Sequence, residues 1–397
     1  MNPLQLSYFT LTTCLGAGLE ANLDALREQR SGLAPCAFET VQLDTSVGAV
    51  ADLDAVVLRA DLAAFNCRNN RLAQHALEQD SFAQQVETAL THYDAARVGV
   101  FIGTSTAGIL ETEIAYRSRD AQTGALLNPP QYRYTHNPYS IADFVRRYFY
   151  LQGPAFTVST ACSSSAKVFG SAQRMIAAGL IDAAIVGGVD TLCLTTLYGF
   201  SSLQLTSSQP CRPFDSERDG ISVGEGASFV LLEPQTAVAS DSILLLGVGE
   251  SSDAYHMSSP HPDGRGALQA MQAALQQAQL TPAAIDYINL HGTATPNNDS
   301  AEGRAVNTLF GAQVAASSTK GATGHTLGAA GGIEAVIAAL ALTNDLIPAG
   351  VNTTHLDPQL AIDYVLQNRQ QTLRYVLSNS FGFGGTNCSL ILGRQPA

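Results

Sequence analysis

Residues 153–170 read GPAFTVSTACSSSAKVFG. A short apolar run at 156–158 stops just before Cys162, small residues follow, and a helical pattern begins at 164. The stretch therefore places a thiol at a strand-to-helix corner. A helix start presents free N–H groups and the positive end of the helix dipole. Both lower a thiol pKa, and the thiolate is the nucleophile. A sharp turn of this kind also exposes its side chain, and its neighbours must be small. Ala161, Ser163, Ser164 and Ser165 meet that demand. The same N–H groups can hold an oxyanion. The plainer reading is a buried cysteine that packs as a small apolar residue, and this stretch alone leaves both open.

Around the corner, apolar runs alternate with helical segments. Strands are expected at 97–102, 156–158, 183–186, 228–232, 243–249, 287–290 and 388–392. Helices are expected at 19–29, 81–93, 141–149, 164–178, 266–279, 300–310 and 329–342. Such alternation implies an α/β fold with a largely parallel sheet. A single core stops growing near ~250–300 residues, so a chain of 397 residues is expected to form two halves. The polar stretch EPQTAVASDS at 233–242 supplies a seam and divides the chain into 1–240 and 241–397. Each half carries one strand–corner–helix unit of small residues, around Cys162 in the first and around Lys320 and His325 in the second.

The totals exclude several classes. The chain is 46% hydrophobic and 14% charged, a composition of packed layers and not of disorder. A net charge of −13 argues against nucleic-acid binding as a global property. No run reaches the ~18 consecutive apolar residues of a membrane span, and the N-terminus lacks the positive region of a signal peptide. Seven scattered cysteines without a C-x-x-C predict reduced thiols, a cytoplasmic location and no metal site. Only two lysines occur, Lys167 and Lys320, and the second lies in a glycine-rich motif.

A thiol nucleophile needs partners, and two of the eight histidines stand out. His291 ends the run IDYINL and opens HGTATPNND. His325 lies in STKGATGHTLGAAGG, five residues after Lys320. Both sit at loop corners after strands and could converge on Cys162. His75, His92 and His355 fall in polar settings, and His136, His256 and His261 in loops; none is given chemistry.

These motifs resemble those of the β-ketoacyl-(acyl carrier protein) synthases, in the branch with a Cys-His-His site. STACSSS matches the nucleophile motif, HGTATPNND the first histidine motif, TKGATGHTLGAAG the lysine–histidine motif and NSFGFGGTN the C-terminal glycine loop. CRPFDSERDGISVGEGASFVLLE and HMSSPHPDGRG match two further stretches. The N-terminal LSYFTLTTCLGAG departs from the usual opening of the family.

The resemblance implies a thiolase-like fold, two similar halves in α-β-α-β-α layers, and a decarboxylative Claisen condensation. Cys162 would take an acyl chain from a carrier protein, and malonyl-carrier protein would lose CO₂ and attack the thioester. His291 and His325 would hold the enolate oxygen. The N–H groups of Cys162 and Phe383 would hold the tetrahedral intermediate. Lys320 would support His325 and pair with Glu334. Thr293 and Thr295 match positions that bind the pantetheine arm, with Phe381 beside them, and Thr106 and Phe200 match positions that shape the acyl pocket. Asp299 and Glu302 match two acids of the family, although a solvated helix start is the plainer reading. No cofactor is required beyond the phosphopantetheine arm of acyl carrier protein. A monovalent cation near Asn289, Glu334, Ser378 and Asn379 would fit the family.

The alternatives are a non-catalytic chain-length-factor partner, a thiol hydrolase and a degradative thiolase. The first would lack the nucleophile. The second leaves one histidine and the lysine unexplained. The third needs a second catalytic cysteine, and Cys388 lies in the strand-like CSLIL. GGVDTLCLTTLYGF resembles synthases of aryl-polyene and type II polyketide clusters, with fatty acid elongation the other pathway. The expected partners are acyl carrier protein and a second ketosynthase chain, in a homodimer or a heterodimer. Arg68 and Arg71, three apart in NCRNNRLAQ, would share one helix face and match the carrier-docking stretch. Arg117 and Arg119 are weaker candidates.

Overall fold

A computed structural model describes residues 3–235 and 242–394. The seam expected at 233–242 falls largely outside the described residues.

Five strands build the sheet of the first half: Leu4–Thr13, Val98–Gly103, Ala155–Val158, Ala183–Asp190 and Gly226–Pro234. In space they run third, second, fourth, fifth, first. Ile243–Ser252, Tyr287–Asn289, Ala315–Ser317, Tyr375–Gly382 and Thr386–Arg394 repeat that order in the second half, with Asp363–Tyr364 added outside the third. The two halves join where their first strands pair, Leu4 opposite Leu245 and Gln5 opposite Leu244.

The expectation of a largely parallel sheet is corrected. The second, third and fourth strands of each half are parallel. The fourth, fifth and first are antiparallel. The short link 383–385 forces this in the second half, because only antiparallel neighbours can be joined by a tight turn.

Two helices lie in a common core between the sheets, Ser164–Ala177 and Ala330–Asn344. The second is buried on every side from Ala330 to Leu342, which a polar-faced surface helix cannot be. The stretch Leu327–Asn344 is long and apolar enough to cross a membrane, but 89% of it is buried inside the protein. A side-chain carbon on Gly331 would lie 2.7 Å from the Cβ of Ala166, so the two central helices touch where both are smallest. Arg68–Leu77, Phe82–Leu90 and Tyr139–Tyr148 contribute to the core on the first sheet's other face. Arg265–Ala278 and Pro296–Phe310 do so for the second. The layers are therefore α-β-α-β-α.

Candidate active site

Cys162 lies at the corner after Ala155–Val158, two residues before the helix Ser164–Ala177. Ala161 carries a left-handed φ of 51°, a strain of about 1–3 kcal/mol that surrounding contacts must hold. The serines hold it. The Ser163 hydroxyl donates to the Thr160 carbonyl at 3.0 Å. Ser164 accepts from the Thr160 N–H at 2.8 Å and donates to the Ala161 carbonyl at 2.5 Å. Ser165 accepts the N–H of Gly332 in the other central helix at 2.8 Å. These serines are small because helix and sheet close on them, and hydroxylated because the corner's backbone needs partners.

Cys162 sits on a cavity of about 320 Å³ whose wall includes His291, His325, Thr293, Thr295 and Phe381. Phe200 and Phe383 also line it, with ring centroids 5.7 Å apart. The cysteine is only 6% exposed. Nε2 of His325 is 3.0 Å from its sulfur. The His291 ring stands 5.3 Å from that of His325 and nearly perpendicular to it. The backbone N–H groups of Phe383 and Cys162 pull the thiol pKa down, against its burial.

The partners of each imidazole fix its proton. Nδ1 of His325 accepts the Leu327 N–H at 3.3 Å. Nδ1 of His291 faces the Lys320 ammonium at 3.4 Å, a group with donors only. In both rings Nδ1 is therefore the acceptor, and the proton resides on Nε2. Burial, reinforced by the Lys320 charge, holds both histidines well below the usual imidazole pKa. The site thus presents two neutral N–H donors. Backbone contacts fix the rings: the His325 N–H reaches Ser222 O at 2.7 Å, and Glu302 accepts the N–H groups of His291 and Gly292, each at 2.8 Å.

Several expectations are corrected. The Cys162 thiol is pushed up to about 11, not down, because its burial outweighs Lys320 and the two N–H donors. Lys320 pairs with Glu334 as expected, but its hydrogen bond goes to His291 and not to His325. Burial pushes the Glu334 carboxyl up to about 7 against the pull of Lys320. Asp299 and Glu302 are buried, not solvated, because the helix starts at Pro296 and turns them inward. Proline suits a first helical position, where no N–H is needed.

Thr106 does not face the cavity: it is 1% exposed, and its hydroxyl donates to Asp190 at 2.8 Å. Arg68 is no docking residue. It is buried, with its guanidinium on Glu225 at 3.0 and 2.6 Å and on Asp54 at 3.0 Å. A helical spacing of three said nothing about which way the face points, and this one points inward. Arg71 is ion-paired to Asp54 and Arg117 to Glu39. Cys388 is fully buried in its strand. Leu203, Leu205 and Ile221 also line the cavity; no motif marks the two leucines, and Ile221 lies in CRPFDSERDGISVGEGASFVLLE with no role given to it.

The atoms that would face a monovalent cation are in keeping with one. Oδ1 of Asn289, the Ser378 hydroxyl and Oε2 of Glu334 are buried oxygens without a protein partner.

Residues 10–237 match the beta-ketoacyl synthase N-terminal domain model and 243–354 the C-terminal domain model. The chain is 34% identical to the 3-oxoacyl-[acyl-carrier-protein] synthase 2 of Vibrio harveyi, over 95% of each chain. It is 43% identical to the enzyme of that name from Rhizobium meliloti over 62% of each chain. Among solved structures, a chain of the ketosynthase in complex with its chain length factor from Xenorhabdus doucetiae superposes with a TM-score of 0.90. That match is at 39% identity and covers 99% of this chain and 98% of that one. The chain belongs to the beta-ketoacyl synthase family.

Proposed function

We propose that the protein condenses an acyl thioester, held on Cys162, with the carbanion from a decarboxylating malonyl thioester carried by acyl carrier protein. The observation that carries this reading is the convergence of two Nε2–H donors, both locked by partners on Nδ1, beside one nucleophilic sulfur.

In the first half-reaction the Cys162 sulfur attacks the incoming thioester carbonyl. The carrier thiol departs with the proton that Cys162 gives up. Nε2–H of His325 lies against the sulfur at 3.0 Å, and the backbone N–H groups of Cys162 and Phe383 pull its pKa down. They stabilise the small thiolate fraction that reacts. In the second, the bond between the malonyl α-carbon and its carboxylate breaks, and CO₂ leaves. The electron pair becomes an enolate whose oxygen receives the Nε2–H groups of His291 and His325. The α-carbon then bonds to the Cys162 thioester carbonyl. The oxyanion sits between the N–H groups of Cys162 and Phe383, and collapse expels Cys162. Preorganised donors of this kind contribute most where charge develops. Lys320 and Glu334 hold the geometry of His291 and exchange no proton with substrate. Asn289, Ser378, Asn379 and Glu334 would hold a monovalent cation, which would steady this buried polar cluster.

A sulfur 6% exposed at a cavity floor calls for a long, thin arm, and this supports a phosphopantetheine carrier. Thr293 and Thr295, whose hydroxyls are 2.9 Å apart on the cavity wall, would receive its amides. Phe381 and Phe200 would flank the acyl chain. The strand Ala155–Val158 ends the sheet with an open edge and a half-exposed Phe156. We assign that edge to a second ketosynthase-type chain, identical or related. The names of the curated relatives favour fatty acid elongation, the Xenorhabdus complex favours a chain length factor as the second chain, and the aryl-polyene or polyketide reading rests on the stretch GGVDTLCLTTLYGF. The alternative, that this chain is itself the non-catalytic partner, leaves the Cys162–His325 contact without a use. Seven free thiols suit a reducing cytoplasm.

Intact mass spectrometry after incubation with a panel of acyl-carrier proteins tests the reading. The enzyme should gain one acyl mass on Cys162 and, with malonyl-carrier protein added, release it as a 3-ketoacyl-carrier protein. No acyl adduct from any carrier would refute it.

A further inference from the structure

Asp190 is fully buried at the end of the strand Ala183–Asp190, within GGVDTLCLTTLYGF, a stretch that by itself gives it no role. Its two oxygens face different elements. Oδ1 receives the Thr104 hydroxyl at 2.6 Å, the Ser105 N–H at 2.8 Å, and the Thr106 N–H and hydroxyl at 2.9 and 2.8 Å. Oδ2 receives the Gly328 N–H at 2.5 Å and the Ser105 N–H at 3.0 Å. Gly328 follows Leu327, which has a left-handed φ of 52°. That is an uncommon conformation for a residue with a branched side chain. Leu327 is also the residue whose N–H occupies Nδ1 of His325. A side-chain carbon on Gly328 would lie 2.6 Å from the Ser105 hydroxyl and 2.8 Å from Asp190, so only glycine lets this N–H reach the carboxylate.

We propose that Asp190 is a positioning residue for His325. Its carboxylate anchors Gly328, the anchor holds Leu327 in its strained conformation, and the Leu327 N–H then keeps the His325 proton on Nε2, aimed at the substrate. Asp190 touches no reacting atom. The inference rests on the reaction proposed above for its kinetic part only.

Asp190→Asn is a selective test. An amide offers one acceptor oxygen, and four of the donor contacts lie on Oδ1. The amide oxygen should stay there and turn its NH₂ toward the Gly328 N–H, so the anchor alone is lost. Thr104→Val is the control: it removes a donor to Oδ1 and leaves Gly328 in place. Asp190→Glu serves as a second variant should Asp190→Asn not fold, since it displaces the carboxylate from Gly328 while keeping its charge. The readouts are the ¹⁵N shifts of His325 in histidine-labelled protein, malonyl decarboxylation, and acyl loading of Cys162. In Asp190→Asn, His325 should lose the pure Nε2–H pattern and decarboxylation should fall roughly tenfold or more, while acyl loading, which keeps the backbone N–H groups of Cys162 and Phe383, should fall by less. Thr104→Val should lower Tm without moving the ¹⁵N pattern. The proposal is overturned if Asp190→Asn or Asp190→Glu retains the wild-type ¹⁵N pattern, or if Thr104→Val shifts it equally. If wild-type protein decarboxylates no malonyl thioester, the reaction reading fails instead, and the ¹⁵N spectra still decide the role of Asp190.

Discussion

Nε2 of His325 lies 3.0 Å from Sγ of Cys162 while Nδ1 of the same ring accepts the Leu327 N–H. The histidine nearest the nucleophile is therefore wired as a donor and not as a base. His291 is wired the same way through Lys320.

Removing either donor should separate the two half-reactions. In His291→Ala or His325→Ala, Cys162 should still accept an acyl chain while decarboxylation falls by about 10²–10³, the usual cost of one oxyanion-hole donor. Single-turnover acylation, read alongside CO₂ release, checks this. Wild-type decarboxylation in either variant would remove that histidine from the mechanism.

The direction of the histidine shifts sets a pH dependence. A depressed imidazole pKa keeps both rings neutral as the pH falls through about 6.5, the ordinary value. Decarboxylation of malonyl-carrier protein should therefore stay flat through that region, with an acid limb only well below it. A limb centred near 6.5 would mean that the rings are not held neutral.

Arg68 should behave as a structural ion-pair partner. Arg68→Ala leaves the fully buried Glu225 without its cation, and breaking such a pair costs ~3–5 kcal/mol. Urea unfolding should show that loss. Activity on small acyl-thioester mimics and on carrier-bound substrates should decline together. A selective rise in KM for carrier-bound substrates, with stability unchanged, would instead restore Arg68 to a docking role.

Much of this site is legible in the sequence because its residues are local. Cys162, His291, Lys320 and His325 each sit inside a run whose small neighbours only a corner requires. The strand–helix alternation is legible for the same reason. What is not legible depends on contacts distant in sequence. The strand Leu4–Thr13 is not marked by its own residues, since its meaning comes from pairing with Gly226–Pro234, over two hundred residues away. The inward turn of Arg68 is set by Glu225, 157 residues on. The fate of Thr106 is set by Asp190, and the raised thiol pKa by burial that no local pattern reports.

The most direct test of the account is malonyl-carrier protein decarboxylation by Cys162→Gln and by Cys162→Gln combined with His325→Ala. Cys162→Ala and Cys162→Gln should both lose acyl loading and condensation. Cys162→Gln should still release CO₂, since both Nε2–H donors remain, and the added His325→Ala should remove that release by about 10²–10³. Condensation by Cys162→Ala, or equal CO₂ release with and without His325, would contradict the account.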